Sequence, residues 1–248
     1  MNEAVRPSTS SGPAAPCSCV PAIPAGVDAV VFDFDGTLAD TTSLHEQALR
    51  AALEPYGLGL DPDWYRRHVG LSIHDLLTAL SGSAQLPHQD IVQDSRAHLL
   101  AELHRITPIP CVGSLLRTAR QAGLPCAVAS GASRLLVHPG IDELGLRHEF
   151  TAVVAREDVP RGKPAPDLYL AAVRRLGVPP ERCLAVDDAR DGVASARAAG
   201  LPVLTLADGH LTDAAEAFGR AEPITTAADD VSPDRAAPRS ADPTDRQP

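Results

Sequence analysis

The sequence predicts an α/β protein with a doubly wound, Rossmann-like core of parallel strands and a small helical cap inserted after the first strand. Three observations support this fold class. Short apolar runs recur along the chain, helical patterns lie between them, and the first two runs are separated by far more residues than one crossover helix requires. A second, helical module is therefore expected in that gap.

The strands are predicted from apolar runs that are almost continuous, as expected for a parallel sheet that is covered on both faces. These runs span residues 29–34, 125–130, 151–155, 183–187 and 203–207. Predicted crossover helices that each end at a glycine occupy residues 113–123, 167–177 and 192–200. In the helix that follows the second run, Pro139-Gly140 is expected to cause a break or a kink.

Residues 42–107 contain several stretches with apolar residues at three- and four-residue spacing, which predicts the helical cap. The α/β core would then comprise residues 27–41 and 108–224. The two ends, residues 1–26 and 225–248, are rich in small, polar and proline residues without apolar periodicity. Such composition buries little surface, so both ends are predicted to be disordered extensions.

Composition excludes several classes of protein. The 248 residues carry a formal net charge of −10, which argues against binding to nucleic acid because that affinity depends on clustered Lys and Arg. Five cysteines, without a CxxC pair or a histidine cluster, favour neither a disulfide framework nor a zinc site, and a reducing cytoplasm is the simpler expectation. No apolar run approaches the roughly 20 residues that span a bilayer, so no membrane partner is expected.

Polar side chains follow the predicted strands at the edge where parallel sheets bind ligands. They are Asp33 and Asp35 after the first strand, Ser130 after the second, Lys163 in the loop after the third, and Asp187 and Asp188 after the fourth. Carboxylates this close together repel one another and need a cation, and an all-oxygen site of this kind suits Mg²⁺.

These residue types predict phosphoryl transfer. With Mg²⁺ and Lys163 neutralising a phosphoryl group, Asp33 can act as the nucleophile. Asp35 lies close to the leaving oxygen and can serve as general acid and then as general base if its neighbours raise its pKa. The hydroxyl of Ser130 would donate a hydrogen bond to a phosphoryl oxygen.

Together these segments resemble the haloacid dehalogenase superfamily of phosphotransferases. The matching pieces are FDFDGT at 32–37, ASG at 129–131, KPAPD at 163–167 and VDDARDG at 186–192. The resemblance implies that Asp33 is phosphorylated, that the backbone carbonyl of Asp35 binds Mg²⁺, and that Asp188 and Asp187 complete the metal site. It also places Thr37, Ser130, Gly131 and Lys163 among the residues that bind phosphate.

The inserted segment resembles the small helical cap of the subgroup that includes sugar-phosphate phosphatases and β-phosphoglucomutase-like enzymes. His45 matches a histidine that is common there, and it is either a substrate-site residue or a solvated histidine near a helix start. The chain departs from the family pattern at Ala189, where Ser is usual, and at Asp187, where Glu is frequent. Ile73 and His74 stand where mutase-like relatives often carry an arginine for the sugar phosphate, which weakens the mutase interpretation.

The leading hypothesis is a phosphatase for a small phosphomonoester, and Thr37 is typical of phosphatase-like members. The alternatives are a phosphosugar mutase that uses the same aspartyl-phosphate, and a non-catalytic module that binds a partner or a phospholigand. A dehalogenase is disfavoured because that reaction needs neither Asp35 as an acid nor a neutralised phosphate. The expected partner is a small phosphorylated metabolite, and the expected state is a monomer or a weak dimer.

Overall fold

The computed structural model describes residues 22–68, 73–81, 86–207 and 209–218. The predicted disordered extensions, 1–26 and 225–248, lie outside these ranges apart from residues 22–26. The strands are β1 (Ala29–Phe32), β2 (Ala39–Asp40), β3 (Thr107–Pro108), β4 (Cys126–Ala129), β5 (Ala152–Val154), β6 (Cys183–Val186), β7 (Val203–Ala207) and β8 (His210–Asp213).

The main sheet has the strand order β5-β4-β1-β6-β7-β8 among the described residues. Its strands run parallel except for β8, which pairs antiparallel with β7 and was not predicted. The chain leaves β1 towards β4 and β5 on one side and later returns to β6 and β7 on the other. This reversal next to β1 opens a crevice at the carboxyl ends of the strands. The predicted doubly wound α/β core is thereby confirmed.

Helices cover both faces of the sheet and fill the segment between β2 and β3. They are α1 (Thr42–Leu53), α2 (Pro62–His68), α3 (Ile73–Ser81), α4 (His88–Ala101), α5 (Pro110–Gln121), α6 (Arg134–Glu143), α7 (Asp167–Leu176), α8 (Arg190–Ala198) and α9 (Ala214–Phe218). In the part of the chain that the structure describes, no helix has both the length and the apolar character that crossing a bilayer requires.

The alternation of side chains along β1 divides the apolar core in two. Val30 and Phe32 pack on one face of the sheet, in a cluster that includes residues of α5 and α6. Ala29 and Val31 pack on the other face, with residues of α7 and α8. Because all four side chains are fully buried, β1 is held from both sides, and the chain that follows it leaves the sheet at a fixed place.

The segment inserted between the first two strands of the main sheet is helical and has its own apolar cluster. Leu49, Leu53, Leu77 and Ile91, from α1, α3 and α4, are buried together there. The two chain segments that enter and leave the insertion pair as a short antiparallel ribbon of β2 with β3. The predicted division into a core of 27–41 and 108–224 and a cap of 42–107 stays a prediction, and residues 69–72 and 82–85 of the cap lie outside the described ranges.

Helix α6 runs without a break through Pro139, where the sequence predicts a break or a kink. The next residue, Gly140, explains why this segment packs as it does. A Cβ atom on Gly140 would overlap the ring of Phe34. Phe34 is buried and stands between Asp33 and Asp35 in the sequence. The glycine therefore lets α6 approach the loop after β1 closely.

Candidate active site

The site lies at the carboxyl ends of β1, β4 and β6, below the inserted helices. Asp33 follows β1 directly, Asp187 and Asp188 follow β6, and their side chains line a cavity of about 640 Å³ together with Asp35 and Lys163. The backbone N–H of Asp33 donates to Val186 O at 2.8 Å, which ties the ends of β1 and β6 together. The structure thus brings the five predicted charged residues to one edge of the sheet.

Lys163 bridges two of the acidic side chains. Its Nζ lies 2.5 Å from Asp33 Oδ1 and 2.6 Å from Asp187 Oδ2, and its side chain is only 12% exposed. Asp33 is also nearly buried. A buried ammonium that contacts two carboxylates at hydrogen-bond distance is positioned to neutralise a phosphoryl group that enters beside Asp33.

Burial and neighbouring charges shift the pKa of several groups in the pocket. Burial raises the pKa of Asp33 well above its ordinary value, and the charge of Lys163 only partly offsets this. Burial, followed by the charge of Asp187, raises the pKa of Asp188 to about 6. Burial lowers the pKa of Lys163, but the two carboxylates that it contacts outweigh this and hold the pKa above its ordinary value. A cation among these carboxylates would relieve their mutual repulsion.

The carboxylate of Asp187 accepts three hydrogen bonds from protein groups. Its Oδ2 accepts from Lys163 and from the hydroxyl of Tyr169, each at 2.6 Å, and its Oδ1 accepts from the backbone N–H of Ala189 at 3.1 Å. A Cβ atom on Gly192 would overlap this carboxylate, so the glycine makes room for it. Asp187 therefore holds Lys163 in place as well as facing the cluster of carboxylates.

Asp188 is held by Thr37. The Thr37 hydroxyl donates to Asp188 Oδ1 at 3.0 Å and accepts from the Asp188 backbone N–H at 3.1 Å. Thr37 is fully buried and does not line the cavity, so the structure places it behind Asp188, although the sequence predicted that it binds phosphate. Gly36 has a positive φ of 74°, and a Cβ atom there would overlap the carboxylate of Asp188. The turn after β1 and the turn after β6 thus fit together only because residue 36 is glycine.

Asp35 pairs with His45 of α1. His45 Nε2 lies 3.1 Å from Asp35 Oδ1, and both side chains are about one-third exposed in the cavity. Burial would raise the pKa of Asp35, but the hydrogen bond and charge of His45 outweigh it and lower the pKa. Burial would lower the pKa of His45, and the hydrogen bond from Asp35 raises it. The shift of the Asp35 pKa is thus opposite in direction to the raised pKa that the general-acid role was expected to need, and against the effect of burial His45 is its main cause.

The loop after β4 contributes backbone rather than the expected hydroxyl. Gly131 lines the cavity, whereas Ser130 is fully buried and its Oγ accepts from the Ala132 backbone N–H at 3.0 Å. Ser133 caps α6 by accepting from the Leu135 backbone N–H. The role of Ser130 in phosphate binding stays a prediction, as do the roles of the other site residues.

Sequence reasoning missed two residues of the site. Tyr169 lies six residues after Lys163, and its position on the buried face of α7 would have been a signal, because a buried tyrosine hydroxyl needs a hydrogen-bond partner. Arg96 lines the cavity from α4, on the same helix face as Val92 and Leu99. A charged residue within an apolar stripe would have been its signal.

The donor set fits a hard divalent cation such as Mg²⁺. One carboxylate oxygen from each of Asp33, Asp187 and Asp188 lies within 4.8 Å of the other two. All three donors are oxygens, and Mg²⁺ prefers a few carboxylates with its other positions left for water and phosphate. Asp187 also accepts three hydrogen bonds from protein groups, and its role as a metal ligand stays a prediction.

Comparisons with known proteins identify the family of this chain. The family model for haloacid dehalogenase-like hydrolases matches residues 27–200. The fructose-1-phosphate phosphatase YqaB of Escherichia coli is 33% identical over 182 residues, which cover 69% of this chain and 92% of that protein. The protein CbbY of Rhodobacter capsulatus is 33% identical over 195 residues, covering 71% of this chain and 83% of that protein.

A solved structure shows the same architecture. The crystal structure of CbbY from Rhodobacter sphaeroides in complex with phosphate matches with a TM-score of 0.65 and 31% identity, over 72% of this chain and 85% of that chain. The predicted resemblance and the predicted enzyme class, a phosphoric monoester hydrolase, are confirmed. The chain belongs to the haloacid dehalogenase-like hydrolase family.

Proposed function

We propose that this protein is a Mg²⁺-dependent phosphatase that hydrolyses a small phosphomonoester, a sugar phosphate or similar metabolite, through an aspartyl-phosphate on Asp33. The observation that carries the proposal is the contact between Lys163 and Asp33, which lies at the carboxyl ends of the strands and beside Asp188. This arrangement offers a carboxylate nucleophile, a neutralising ammonium and room for a cation within one cavity. Two relatives support the same substrate chemistry: YqaB is named as a fructose-1-phosphate phosphatase, and CbbY was crystallised with phosphate.

In the first step a carboxylate oxygen of Asp33 attacks phosphorus, and the bond between phosphorus and the leaving oxygen breaks. Lys163 donates to the phosphoryl oxygens as charge shifts onto them. Mg²⁺ bound by Asp33, Asp188 and the backbone carbonyl of Asp35 would supply further neutralisation of that charge. His45 supplies a proton through its contact with Asp35 Oδ1, and Asp35 passes it to the leaving alkoxide, which departs as the alcohol.

In the second step water attacks the phosphorus of the aspartyl-phosphate. Asp35, now without the proton, accepts one from that water, and Asp33 is regenerated as inorganic phosphate forms. The inserted helices cover the cavity, since Leu49 of α1 and Leu99 of α4 line it opposite the carboxylates. They would exclude bulk water from the first step.

The test is Mg²⁺-dependent phosphate release from p-nitrophenyl phosphate and from a panel of phosphorylated metabolites. Asp33→Asn should abolish turnover, whereas Asp94→Asn, an exposed change on α4 outside the cavity, should leave it unchanged. Turnover that persists in the Asp33→Asn protein would rule out Asp33 as the nucleophile. A mutase would instead convert β-glucose 1-phosphate with a bisphosphate primer into glucose 6-phosphate without releasing phosphate.

A cytoplasmic location and a monomeric or weakly dimeric state remain part of the proposal. Size-exclusion chromatography with light scattering measures the oligomeric state directly. A stable higher oligomer would contradict it.

A further inference from the structure

One face of helix α4 forms the wall of the cavity that lies across from the sheet. Val92, Ser95, Arg96 and Leu99 lie on this face, at the three- and four-residue spacing of one side of a helix, and all four line the same cavity as Asp33. The neighbouring wall is largely apolar, with Leu49, Tyr65, Leu76 and Leu136. Arg96 therefore brings a positive charge to a wall of the cavity that also carries several apolar side chains.

The other cationic side chains of the cavity are already engaged. Lys163 contacts Asp33 and Asp187, and the guanidinium of Arg156 donates to Val159 O at 2.9 Å and to Pro160 O at 3.3 Å. Within residues 22–68, 73–81, 86–207 and 209–218, Arg96 makes no hydrogen bond or ion pair, although it is only partly exposed. Its five N–H donors are therefore free to meet a ligand.

A half-buried guanidinium has lost part of its hydration and gains most from an oxyanion. Its planar fork matches a carboxylate or a phosphate with two parallel hydrogen bonds. A neutral sugar hydroxyl offers only a single, weaker acceptor to the guanidinium. The chemistry at this end of the cavity therefore favours an anion over an uncharged polyol.

The cavity has room for such a second group. Its volume of about 640 Å³ is within the range of about 300–1,000 Å³ typical of small-molecule sites, so it holds considerably more than one phosphoryl group. A substrate whose phosphoryl group lies beside Asp33 and Lys163 has the rest of its body within this volume.

We infer that Arg96 binds a second anionic group, a carboxylate or a phosphate, on the part of the substrate that is not transferred. The substrate class is then a small phosphomonoester with an acidic tail or a bisphosphate. This inference rests on the proposed phosphatase function, since it assigns the other end of the same substrate. Arg96 is a specificity-determining residue in this view and takes no part in the chemical step.

The experiment compares matched substrates that differ in the tail. Phosphoglycolate is paired with ethyl phosphate, which lacks the carboxylate, and fructose 1,6-bisphosphate is paired with fructose 1-phosphate, which lacks the second phosphate. The native protein should prefer the acidic member of at least one pair, and the pair that responds tells a carboxylate site from a phosphate site. Arg96→Gln should lower kcat/KM for that acidic member by about 10- to 100-fold, mainly through KM, because a hydrogen bond to a charged group is lost. The neutral member should change by less than about threefold.

Two variants serve as controls. Arg96→Lys keeps the charge without the planar fork and should recover part of the preference. Arg67→Gln removes the same charge from α2, where Arg67 is exposed and does not line the cavity. It should leave kcat/KM unchanged for both members of each pair. Thermal melting of each variant shows that the fold is retained.

Binding gives a readout that does not depend on turnover. In the Asp33→Asn background, titration calorimetry should show that Arg96→Gln weakens binding of the acidic substrate and not of its neutral partner. Equal loss for both members of each pair, no loss for either, or a native preference for the neutral members would overturn the role of Arg96. None of these results affects the proposed phosphatase function, which fails only if the Asp33→Asn protein still releases phosphate from p-nitrophenyl phosphate.

Discussion

Tyr169 donates a 2.6 Å hydrogen bond to the same oxygen of Asp187 that accepts from Lys163. The Lys163 ammonium also lies 5.4 Å from the centroid of the Tyr169 ring. Burial and the neighbouring charge of Asp187 raise the pKa of Tyr169 well above its ordinary value, so its hydroxyl stays a donor. The tyrosine thus fixes both members of the ion pair that positions Lys163 against Asp33.

Tyr169→Phe removes the hydroxyl and keeps the ring beside Lys163. We expect kcat to fall by about 10-fold or more, since Asp187 loses a donor worth about 1.5–3 kcal/mol. The affinity for Mg²⁺ should change little, because Asp187 is occupied with Lys163 and the Ala189 backbone. Steady-state kinetics at several Mg²⁺ concentrations measure both quantities. Tyr56→Phe, the same change at an exposed position, is the control, and a large loss of Mg²⁺ affinity in Tyr169→Phe would contradict this view of Asp187.

Gly36→Ala places a Cβ atom where the Asp188 carboxylate lies, at a residue with a φ of 74°. We expect the affinity for Mg²⁺ to fall by about 10- to 100-fold, because Asp188 must move away from its bond with Thr37. Titration calorimetry with Mg²⁺ measures this. Gly57→Ala is a matched control, since Gly57 has a φ of 67° and no atom within 4 Å of an added Cβ. If Gly36→Ala binds Mg²⁺ as tightly as Gly57→Ala does, the added Cβ atom does not displace Asp188 from the metal site.

Gly140→Ala inserts a methyl group against the ring of Phe34. We expect the free energy of unfolding to fall by about 1–3 kcal/mol, because an overfilled core must shift side chains or backbone. Chemical denaturation measures this change. Gly113→Ala, in the first turn of α5, meets only the end of the Arg117 side chain at 3.6 Å and should be neutral or stabilising by up to about 1 kcal/mol. Equal effects of the two substitutions would exclude the contact with Phe34 as the cause.

Binding of Mg²⁺ should release protons near pH 6. The pKa of Asp188 is raised to about 6 in the metal-free pocket, and only the ionised carboxylate binds a metal. Below that pKa a proton must leave, so the affinity should fall by about tenfold per pH unit, and above about pH 7 it should level off. Calorimetry in two buffers with different enthalpies of ionisation counts the protons released. An identical binding enthalpy in both buffers at pH 6 would contradict the raised pKa.

The charged residues of the site were predictable because each follows an apolar strand. In a parallel sheet every strand that ends at one edge delivers its next residues to the same crevice, so Asp33, Lys163 and Asp188 could be placed together from sequence order alone. The antiparallel strand β8 was not predicted, because His210–Asp213 has neither a long apolar run nor a clear alternation. The sequence predicts a break or a kink at Pro139, where α6 is continuous, and the close packing of Gly140 on Phe34 was not predictable because these residues are distant in sequence.

The sequence by itself determined the fold class, the family and the set of charged residues, because strand periodicity and short motifs are local properties of the chain. Only the tertiary structure decided how the side chains share their protons and hydrogen bonds. It paired Asp35 with His45, put Thr37 behind Asp188, gave Asp187 hydrogen bonds from Lys163 and Tyr169, and left Arg96 without a partner among the described residues. These outcomes depend on distances of a few ångströms between residues that are far apart along the chain, and no local pattern encodes such distances.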